Sequence, residues 1–270
     1  MRPRPRLGTK GGDARCGRLT GRVAIVTGAG GGLGAAIARA YAHEGASVVV
    51  ADIRAAAASA TAESIQSAQG DAMAATVDVT NPIAVHGLMR ACDARYGQLD
   101  VMIANAGVLG EMGVPFADGS ETAFRRTLEV NLFGVYSCFK HALPMIAASG
   151  DGTGALLATT SVAAHRGVPR LEAYSASKAA VIGLVRSLAA DLAPKIRVNT
   201  VSSGTMRTAM TRELGGQSRP RAGATDGPVR EPMFIDVDKV AAAFVYLASD
   251  EGSAVTGQAL CLDGGRSAFD

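Results

Sequence analysis

The stretch "VAIVTGAGGGLGAAIARAYAHEG" (residues 23–45) combines an apolar run, a cluster of glycines and a helical pattern in direct succession. The run at 23–27 indicates a buried strand, the glycines indicate a tight turn, and the small apolar residues that follow have helical spacing. Glycine lets a ligand approach the backbone closely, and the free N–H groups at the start of a helix attract an anion. The stretch therefore predicts a strand–turn–helix unit that holds a phosphate group.

The acid that follows the glycines narrows the ligand to a dinucleotide. Two glycine registers fit the turn: G-x-G-x-x-A through Gly30, Gly32 and Ala35, and G-x-x-x-G-x-G through Gly28, Gly32 and Gly34. The next apolar run ends at Asp52, 52 − 34 = 18 residues beyond the last glycine, near the spacing at which a carboxylate meets the adenine-side ribose. Turn glycines and an acid at a strand end also occur for structural reasons alone, but their combination favours dinucleotide binding.

Beyond this unit, short apolar runs alternate with longer helical patterns. The predicted strands are residues 23–27, 47–51, 74–77, 101–105, 155–160, 196–201 and 259–262. The predicted helices are residues 34–44, 55–69, 82–96, 121–148, 174–192 and 237–249. Because the strands lack polar alternation, they suit a parallel sheet that is buried on both faces. We therefore predict an α/β fold: one Rossmann-type, doubly wound domain with a mostly parallel, seven-stranded sheet and helices on both faces.

Composition and charge limit the classes of partner. The 270 residues are 48% hydrophobic, and the excess positive charge lies in residues 1–18, so we predict a disordered basic extension there and a folded domain at 19–270. Without a basic stripe on that domain, we expect no nucleic acid, and without a long apolar run, no membrane span or secretory signal. The four cysteines lack C-x-x-C spacing, which favours a reduced, cytoplasmic setting and no metal site. The poorly periodic segment 205–235 is predicted to be a lid over the ligand.

A tyrosine and a lysine lie four residues apart among small side chains in "EAYSASKAAV" (172–181). Residues with this spacing share one face of a helix, so the phenol of Tyr174 and the ammonium of Lys178 are expected to lie near each other. An isolated pair of this kind is usually a surface tyrosine beside a solvated lysine.

From about residue 19 to 267 the chain resembles the short-chain dehydrogenase/reductase family, in its classical subgroup. The motifs that carry the resemblance occur in the family's order: "TGAGGGLG" (27–34), "DVT" (78–80), "ANAG" (104–107), Asn131 in "VNLFG", Ser161 at 174 − 161 = 13 residues before Tyr174, the Tyr174/Lys178 pair, and "DGG" (263–265). The resemblance selects the glycine register Gly28, Gly32 and Gly34.

The resemblance implies a catalytic set of Asn131, Ser161, Tyr174 and Lys178. Tyr174 would move the hydroxyl proton, Ser161 would bind the substrate oxygen, and Lys178 would hold the nicotinamide ribose. Asn131 would keep a helix distortion and a water in place for proton exchange. A nearby ammonium stabilises a phenolate, so we expect Lys178, together with a cationic nicotinamide, to lower the pKa of Tyr174 towards neutrality.

The resemblance also implies a cofactor, NAD, and a homotetramer. The expected cofactor-binding residues are Gly28, Gly32, Leu33, Gly34, Asp52, Ile53, Asp78, Val79, Asn105, Ala106, Gly107, Tyr174, Lys178, Gly204 and Thr208. A carboxylate at Asp52 would repel the 2′-phosphate of NADP. The apolar residues on more than one face of the helix at 174–192 suggest a surface covered by another subunit.

Two positions depart from the family's pattern. Ala104 replaces the first asparagine of the N-N-A-G motif, and Ser203 replaces a proline after the sixth strand. Because proline would fix the backbone, the loop after Ser203 is expected to be looser here. His165, four residues beyond Ser161, is either a structural residue of a turn or part of the substrate pocket.

The sequence thus predicts an NAD-dependent oxidoreductase that interconverts a secondary alcohol and a ketone. A second hypothesis is a non-catalytic dinucleotide-binding sensor or scaffold, which needs the glycine turn but not the catalytic set. A third is epimerisation or dehydration on the same fold, although few residues follow "DGG" to form a larger substrate domain. Arginines in the predicted lid are compatible with an anionic substrate or with a solvated loop.

Overall fold

The computed structural model describes residues 17–212 and 234–268. Most of the predicted basic extension (1–16) and of the predicted lid (213–233) therefore lies outside the described residues. A single parallel sheet of seven strands runs in the order β3-β2-β1-β4-β5-β6-β7. The strands are β1 (Val23–Thr27), β2 (Ser47–Asp52), β3 (Ala72–Thr76), β4 (Val101–Ala104), β5 (Gly154–Ser161), β6 (Ile196–Ser203) and β7 (Ala259–Leu262). The predicted fold class is confirmed.

Helices cover both faces of the sheet. They are α1 (Gly32–His43), α2 (Ala55–Ser67), α3 (Pro82–Tyr96), α4 (Glu121–Leu128), α5 (Gly134–Ala148), α6 (Glu172–Leu192), the single turn α7 (Ala209–Arg212) and α8 (Val237–Ala248). One apolar core lies between the sheet and α1, α2 and α8, and a second lies between the sheet and α3, α5 and α6. Successive strand residues enter opposite cores, as Val23 and Ala24 do, which explains why the strands are apolar without alternation.

The order of the strands places the ligand site. The chain leaves β1 towards β2 on one side and later returns to place β4 on the other side of β1. The crevice outside the carboxyl ends of β1 and β4 is the point at which such sheets bind ligands. The glycine turn follows β1, and the "ANAG" motif spans the end of β4, so both lie at this crevice.

The predicted helix at 121–148 is interrupted. A π-helical turn (Glu129–Phe133) separates α4 from α5, and it contains the buried Asn131. A π turn inserts one residue into a helix and turns the following positions by about 100°, an offset that is hard to recognise beside a segment as short as α4, so the sequence pattern predicts a continuous helix. The predicted bounds of β1, β7 and α3 coincide with the observed ones, and those of the other predicted elements differ by one or two residues at their ends, where sequence patterns are least informative.

The backbone at Ser203 is held by the sheet. β6 extends two residues beyond its predicted end, Ser203 pairs in register with Leu262, and the Gly204 N–H donates to the Leu262 carbonyl at 2.9 Å. Gly204 is therefore tied to β7, and the looser loop expected from the missing proline stays a prediction. The two described ends of segment 205–235 also meet, because the Ile235 N–H donates to the Thr205 carbonyl at 2.8 Å.

Within residues 17–212 and 234–268, no helix is long and apolar enough to cross a membrane. The same residues contain no cluster of three or more His, Cys, Asp or Glu side chains that could hold a metal ion.

Candidate active site

The glycine turn has the backbone geometry that the selected register requires. Gly28 and Gly32 have φ angles of 63° and 53°, in the left-handed region that favours glycine. A Cβ atom on Gly34 would lie 2.2 Å from the Gly28 carbonyl oxygen, so α1 and the turn pack together only because Gly34 has no side chain. Gly30 is equally constrained, since a Cβ there would lie 2.8 Å from the Asp52 carboxyl group. The selected register leaves out Gly30, which the structure shows to be required by packing.

The N-terminus of α1 suits a phosphate group. Gly31 is its N-cap, so no side chain caps the first N–H groups, and the first turn carries no acidic residue. Leu33 is buried beneath the turn. With the dipole of α1 directed at the crevice, these free N–H groups form an anion-binding position.

Asp52 ends β2 and faces the glycine turn. One carboxylate oxygen accepts the Gly30 N–H at 2.9 Å, and the other accepts the Arg54 N–H at 3.0 Å. The side chain is only 6% exposed, and both bonds fix its direction. The Arg54 guanidinium is largely in solvent, with its Nε 3.5 Å from the carboxylate. This arrangement fits the predicted contact with a ribose diol.

The residues predicted to contact the adenine lie at the ends of β2 and β3. Ile53 is 59% exposed immediately after Asp52, whereas Val79 is buried against Gly134. Asp78 accepts hydrogen bonds from the Thr80 N–H and hydroxyl, and these bonds hold the pKa of its carboxyl group below the usual range. Asp78 therefore shapes this turn as a fixed carboxylate.

Asn105 joins the ends of three strands. Its Nδ2 donates to the Thr27 and Gly28 carbonyls at 3.0 and 3.2 Å, and its Oδ1 accepts the Thr159 hydroxyl at 2.9 Å. The next residue, Ala106, contacts the glycine turn, because a Cβ on Gly28 would lie 2.8 Å from the Ala106 Cα. The "ANAG" motif thus fixes the floor of the crevice, and the departure at Ala104 leaves a buried strand residue.

Asn131 is fully buried and fully hydrogen-bonded. Its Oδ1 accepts the Val108 N–H at 2.8 Å, and its Nδ2 donates to the Val108 carbonyl at 2.9 Å and to the Ser177 hydroxyl at 3.0 Å. These bonds tie the π turn to the loop after β4 and to α6. A Cβ on Gly107 would lie 3.1 Å from Asn131 Oδ1 and 3.4 Å from Lys178 Nζ, so glycine allows the three segments to meet.

Lys178 extends from α6 to the end of β5. Its Nζ donates to the Thr159 carbonyl at 2.9 Å and lies 5.7 Å from the centroid of the Tyr174 ring. The side chain is only 3% exposed, and burial lowers the pKa of its ammonium to about 8. The predicted pair on one helix face is therefore present, with the Lys178 ammonium inside the protein and Tyr174 half-buried.

Tyr174 and Ser161 face each other across the same cleft. Burial raises the pKa of the Tyr174 phenol, and a hydrogen bond with Ser161 opposes this change. The Ser161 hydroxyl also accepts the Ala163 N–H at 3.2 Å and so begins the short turn after β5. The predicted lowering of the Tyr174 pKa by Lys178 is not found in the protein alone, because burial is the larger effect.

Gly204 and Thr208 bring the loop after β6 to the glycine turn. The Thr208 Cγ2 lies 3.4 Å from the position that a Cβ on Gly32 would take. A Cβ on Gly204 would lie 3.1 Å from the Cα of Asp263, the first residue of the "DGG" motif. Thr208 therefore lies beside the N-terminus of α1, and Gly204 lies against the start of the "DGG" motif.

The structure brings the glycine turn, the "ANAG" segment and the four predicted catalytic residues to one end of the sheet. Thr159 and Ser177 were not predicted. Thr159 supplies the carbonyl that holds Lys178 and the hydroxyl that holds Asn105, and Ser177 holds Asn131. Ser177 lies inside the Tyr-x-x-x-Lys motif, and Thr159 lies two residues before Ser161. Their closeness in sequence to predicted site residues is the one feature of the sequence that could have indicated them.

Comparison with known proteins agrees with this geometry. Residues 28–267 match the family model described as enoyl-(acyl carrier protein) reductase. The chain is 39% identical to cis-4-hydroxycyclohexanecarboxylate dehydrogenase of Sinomonas cyclohexanicum, over 92% of this chain and 97% of that protein. It is 36% identical to (-)-isopiperitenol/(-)-carveol dehydrogenase of Mentha piperita, over 92% and 94%.

A solved structure of 7α-hydroxysteroid dehydrogenase in complex with NADH and 7-oxo glycochenodeoxycholic acid has a TM-score of 0.81 and 35% identity to this chain. The match covers 92% of this chain and 95% of that protein. The similarity therefore extends through nearly the whole fold, including every element that forms the crevice.

Proposed function

This chain belongs to the short-chain dehydrogenase/reductase family, and we propose that it oxidises an uncharged cyclic secondary alcohol to the ketone with NAD⁺. As a member of this family it is an oxidoreductase of secondary alcohols. The observation that carries the assignment to this site is the junction of Tyr174, Ser161 and the buried Lys178 beside the glycine turn.

The role of each catalytic residue follows from its position. When bound, NAD⁺ supplies the acceptor for the hydride that leaves the substrate carbon. Tyr174 takes the proton from the substrate hydroxyl, and Ser161 donates a hydrogen bond to the same oxygen as it becomes a carbonyl. Lys178, held by the Thr159 carbonyl, presents a cation that favours the phenolate and binds a ribose hydroxyl. Asn131 holds the π turn and the loop after β4 in place.

The choice of NAD over NADP rests on Asp52. Two backbone N–H groups fix its carboxylate at the end of β2. From there it can accept hydrogen bonds from both ribose hydroxyls, whereas a 2′-phosphate would meet a negative charge.

The proposed substrate class is supported by a cavity of about 600 Å³ whose lining includes Glu172 and Ala173, the two residues before Tyr174. Its walls are the loop after β4, the first turns of α4 and residues 170–173, and they include the apolar side chains of Val114, Phe116 and Phe124. Pockets of this volume suit a ring-sized organic ligand. The two lining arginines are already engaged: Arg125 with Glu121 at 3.7 Å, and Arg170 with the Gly113 carbonyl at 2.8 Å. Since three glutamates also line the cavity, we favour an uncharged substrate over a carboxylate.

A panel of alcohols tests the proposal. Neutral cyclic alcohols, such as carveol, and matched ring alcohols that bear a carboxylate would each be offered with NAD⁺ while the formation of NADH is followed. Turnover of the neutral compounds, with a lower kcat/KM for the carboxylates, is expected. Binding of NADH without turnover of any alcohol would instead favour the sensor hypothesis.

We also propose a homotetramer in the cytoplasm. The apolar residues of α6 that suggested a covered face do not support it, because Val181, Ile182 and Val185 are buried and the others pack against the core. Support comes instead from two exposed aromatic residues at the junction of the π turn and α5, Phe133 at 59% and Tyr136 at 47%. Light scattering of the full chain at micromolar concentration tests the tetramer, and cell fractionation tests the location.

A further inference from the structure

A chain of hydrogen bonds joins the loop after β5 to the end of β6. The Ser202 hydroxyl lies 2.7 Å from the Thr160 hydroxyl and 2.9 Å from Nε2 of His165. The Cys261 thiol lies 3.5 Å from the same imidazole nitrogen. Thr160, Ser202 and Cys261 are neighbours in register on three adjacent strands, and the imidazole lies across them.

Two of these hydroxyl groups are buried. Ser202 is fully buried and Thr160 is 1% exposed, so neither can exchange its partner for water without local opening. A hydroxyl can donate one hydrogen bond and accept two, so the bond between Thr160 and Ser202 leaves each hydroxyl able to form others. Ser202 forms one of these with the imidazole of His165. His165 itself is exposed, so little packing holds its side chain, and the Ser202 hydroxyl is a hydrogen-bond partner of its imidazole on the protein side.

The residues joined by these hydrogen bonds lie next to two segments of the candidate active site. Thr160 immediately precedes Ser161, and His165 closes the short turn that Ser161 begins, with its N–H bonded to the Val162 carbonyl at 2.9 Å. Ser202 is followed by Ser203 and Gly204, where the segment leading to Thr208 begins. The imidazole therefore cross-links the segment of the proposed oxyanion donor to the segment beside the phosphate-binding helix.

This cross-link lies beside Ser203, where the family resemblance leads us to expect a proline. A proline would restrict the backbone after Ser202. Here the sheet continues through Ser203, and the preceding side chain is bonded to Thr160 and His165. The hydrogen bonds thus restrain the segment that a pyrrolidine ring would otherwise restrain.

We infer that His165 is a positioning residue: through Ser202 it fixes the turn of Ser161 relative to the segment Gly204–Thr208. Its contribution to turnover rests on the proposed function, but its contribution to local order does not. His165 touches neither substrate nor cofactor in this assignment, so it acts through the placement of Ser161.

Three variants of the full chain test the inference. His165→Leu removes the hydrogen bond and keeps a side chain of similar size. His165→Gln can place an amide near the position of Nε2. Ser202→Ala removes the hydroxyl to which the imidazole is bonded. We expect His165→Leu and Ser202→Ala each to lower kcat about tenfold, with KM for the alcohol changed less than about twofold, since misplacement of a reacting group affects mainly the chemical step. His165→Gln should recover kcat to within about twofold of the wild type. The double variant His165→Leu/Ser202→Ala should be no worse than Ser202→Ala alone, because the hydrogen bond between His165 and Ser202 is already absent in that variant.

Hydrogen exchange supplies a readout that does not depend on activity. In His165→Leu we expect faster exchange at the backbone N–H groups of position 165 and of Gly204, after correction for the intrinsic rate of the new residue, with little change in α3, which is remote from both. Cys261→Ser is the matched control: it keeps a polar atom beside the imidazole and the bond between His165 and Ser202, so it should leave both exchange and kcat unchanged. Wild-type exchange and kcat in His165→Leu, additive losses in the double variant, or no recovery with His165→Gln would each overturn the inference. If no alcohol is oxidised even by the wild type, the proposed function fails, while the exchange experiment still decides the role of His165.

Discussion

Replacement of Asp52 by asparagine tests the basis of cofactor choice most directly. The amide is nearly isosteric with the carboxylate and retains an oxygen that can accept the Gly30 N–H, so the glycine turn should keep its shape. Only the negative charge and one acceptor, that of the Arg54 N–H, are lost. A change in cofactor preference can then be attributed to charge.

The expected magnitude follows from the environment of the carboxylate. With the side chain only 6% exposed, screening by water is incomplete. Two unit charges about 5 Å apart repel each other by about 3 kcal/mol at an effective dielectric constant of about 20, and about 2.7 kcal/mol corresponds to a hundredfold change in affinity. We therefore expect the wild type to prefer NAD⁺ by about a hundredfold or more and Asp52→Asn to lose most of that preference. The affinity for NAD⁺ itself should fall about fivefold, because neutral hydrogen bonds to the ribose replace charge-assisted ones.

The assay compares kcat/KM for NAD⁺ and NADP⁺ with one active alcohol, and fluorescence titration gives the dissociation constants of NADH and NADPH. Arg54→Ala is the matched control. Its guanidinium is 70% exposed, and its Nη2 lies 3.9 Å from the position of a Cβ on Gly31, so it could reach a phosphate at the turn. In the presence of Asp52 we expect Arg54→Ala to change the preference less than about threefold, as is usual for an exposed charge. The reasoning would be refuted by equal use of both cofactors in the wild type, or by a preference that survives in Asp52→Asn.

Three further predictions follow from the described contacts. Tyr174→Phe should retain less than about a tenth of wild-type turnover, because the proton carrier is lost, while NADH titration should show unchanged affinity. Lys178→Met should raise the free energy of unfolding by about 2 kcal/mol at pH 7, because a buried ammonium is removed and one hydrogen bond is lost with it. The pKa of Lys178 is lowered to about 8 in the folded protein, so the wild type gains stability as pH rises from about 8 towards 10.5, and chemical denaturation should show this advantage of Lys178→Met shrinking over that range. Gly34→Ala should destabilise the fold by about 3 kcal/mol or more, because its Cβ would lie 2.2 Å from a carbonyl oxygen, whereas Gly31→Ala should be nearly neutral; equal thermal midpoints for the two variants would contradict this.

The sheet could be predicted because each of its strands is an apolar run between turn signals. The predicted strand ends at 23–27 and 259–262 coincide with β1 and β7, and the others differ by one or two residues. The π turn could not be predicted from periodicity, because α4 is too short to show that the pattern of buried positions shifts by about 100° where one residue is inserted. Asn131 did mark it, but only through the family resemblance, since its partners Val108 and Ser177 are distant in sequence.

For the pair Tyr174 and Lys178 as well, the sequence predicts which residues lie together but not how deeply they are buried. The spacing of Tyr174 and Lys178 predicts a shared helix face, but it cannot show that the face is buried. Burial changes the electrostatics: it raises the pKa of the Tyr174 phenol and lowers that of the Lys178 ammonium, so both groups are driven towards their neutral forms. The closeness of Lys178 alone had suggested that the pKa of Tyr174 would be lowered.

This environment makes the proton affinity of Tyr174 sensitive to any further charge in the crevice. A cation placed near a poorly solvated phenol stabilises the phenolate more strongly than it would in water, because little solvent screens the interaction. An oxidised nicotinamide carries such a charge, and a reduced one does not. Under the proposed function, Tyr174 would be the stronger acid with the oxidised cofactor bound, and its phenolate would accept the hydroxyl proton; with the reduced cofactor it would be the weaker acid and would retain that proton. The poorly solvated position of the pair would thus couple the direction of proton transfer to the redox state of the cofactor more strongly than a solvated tyrosine with the same lysine neighbour.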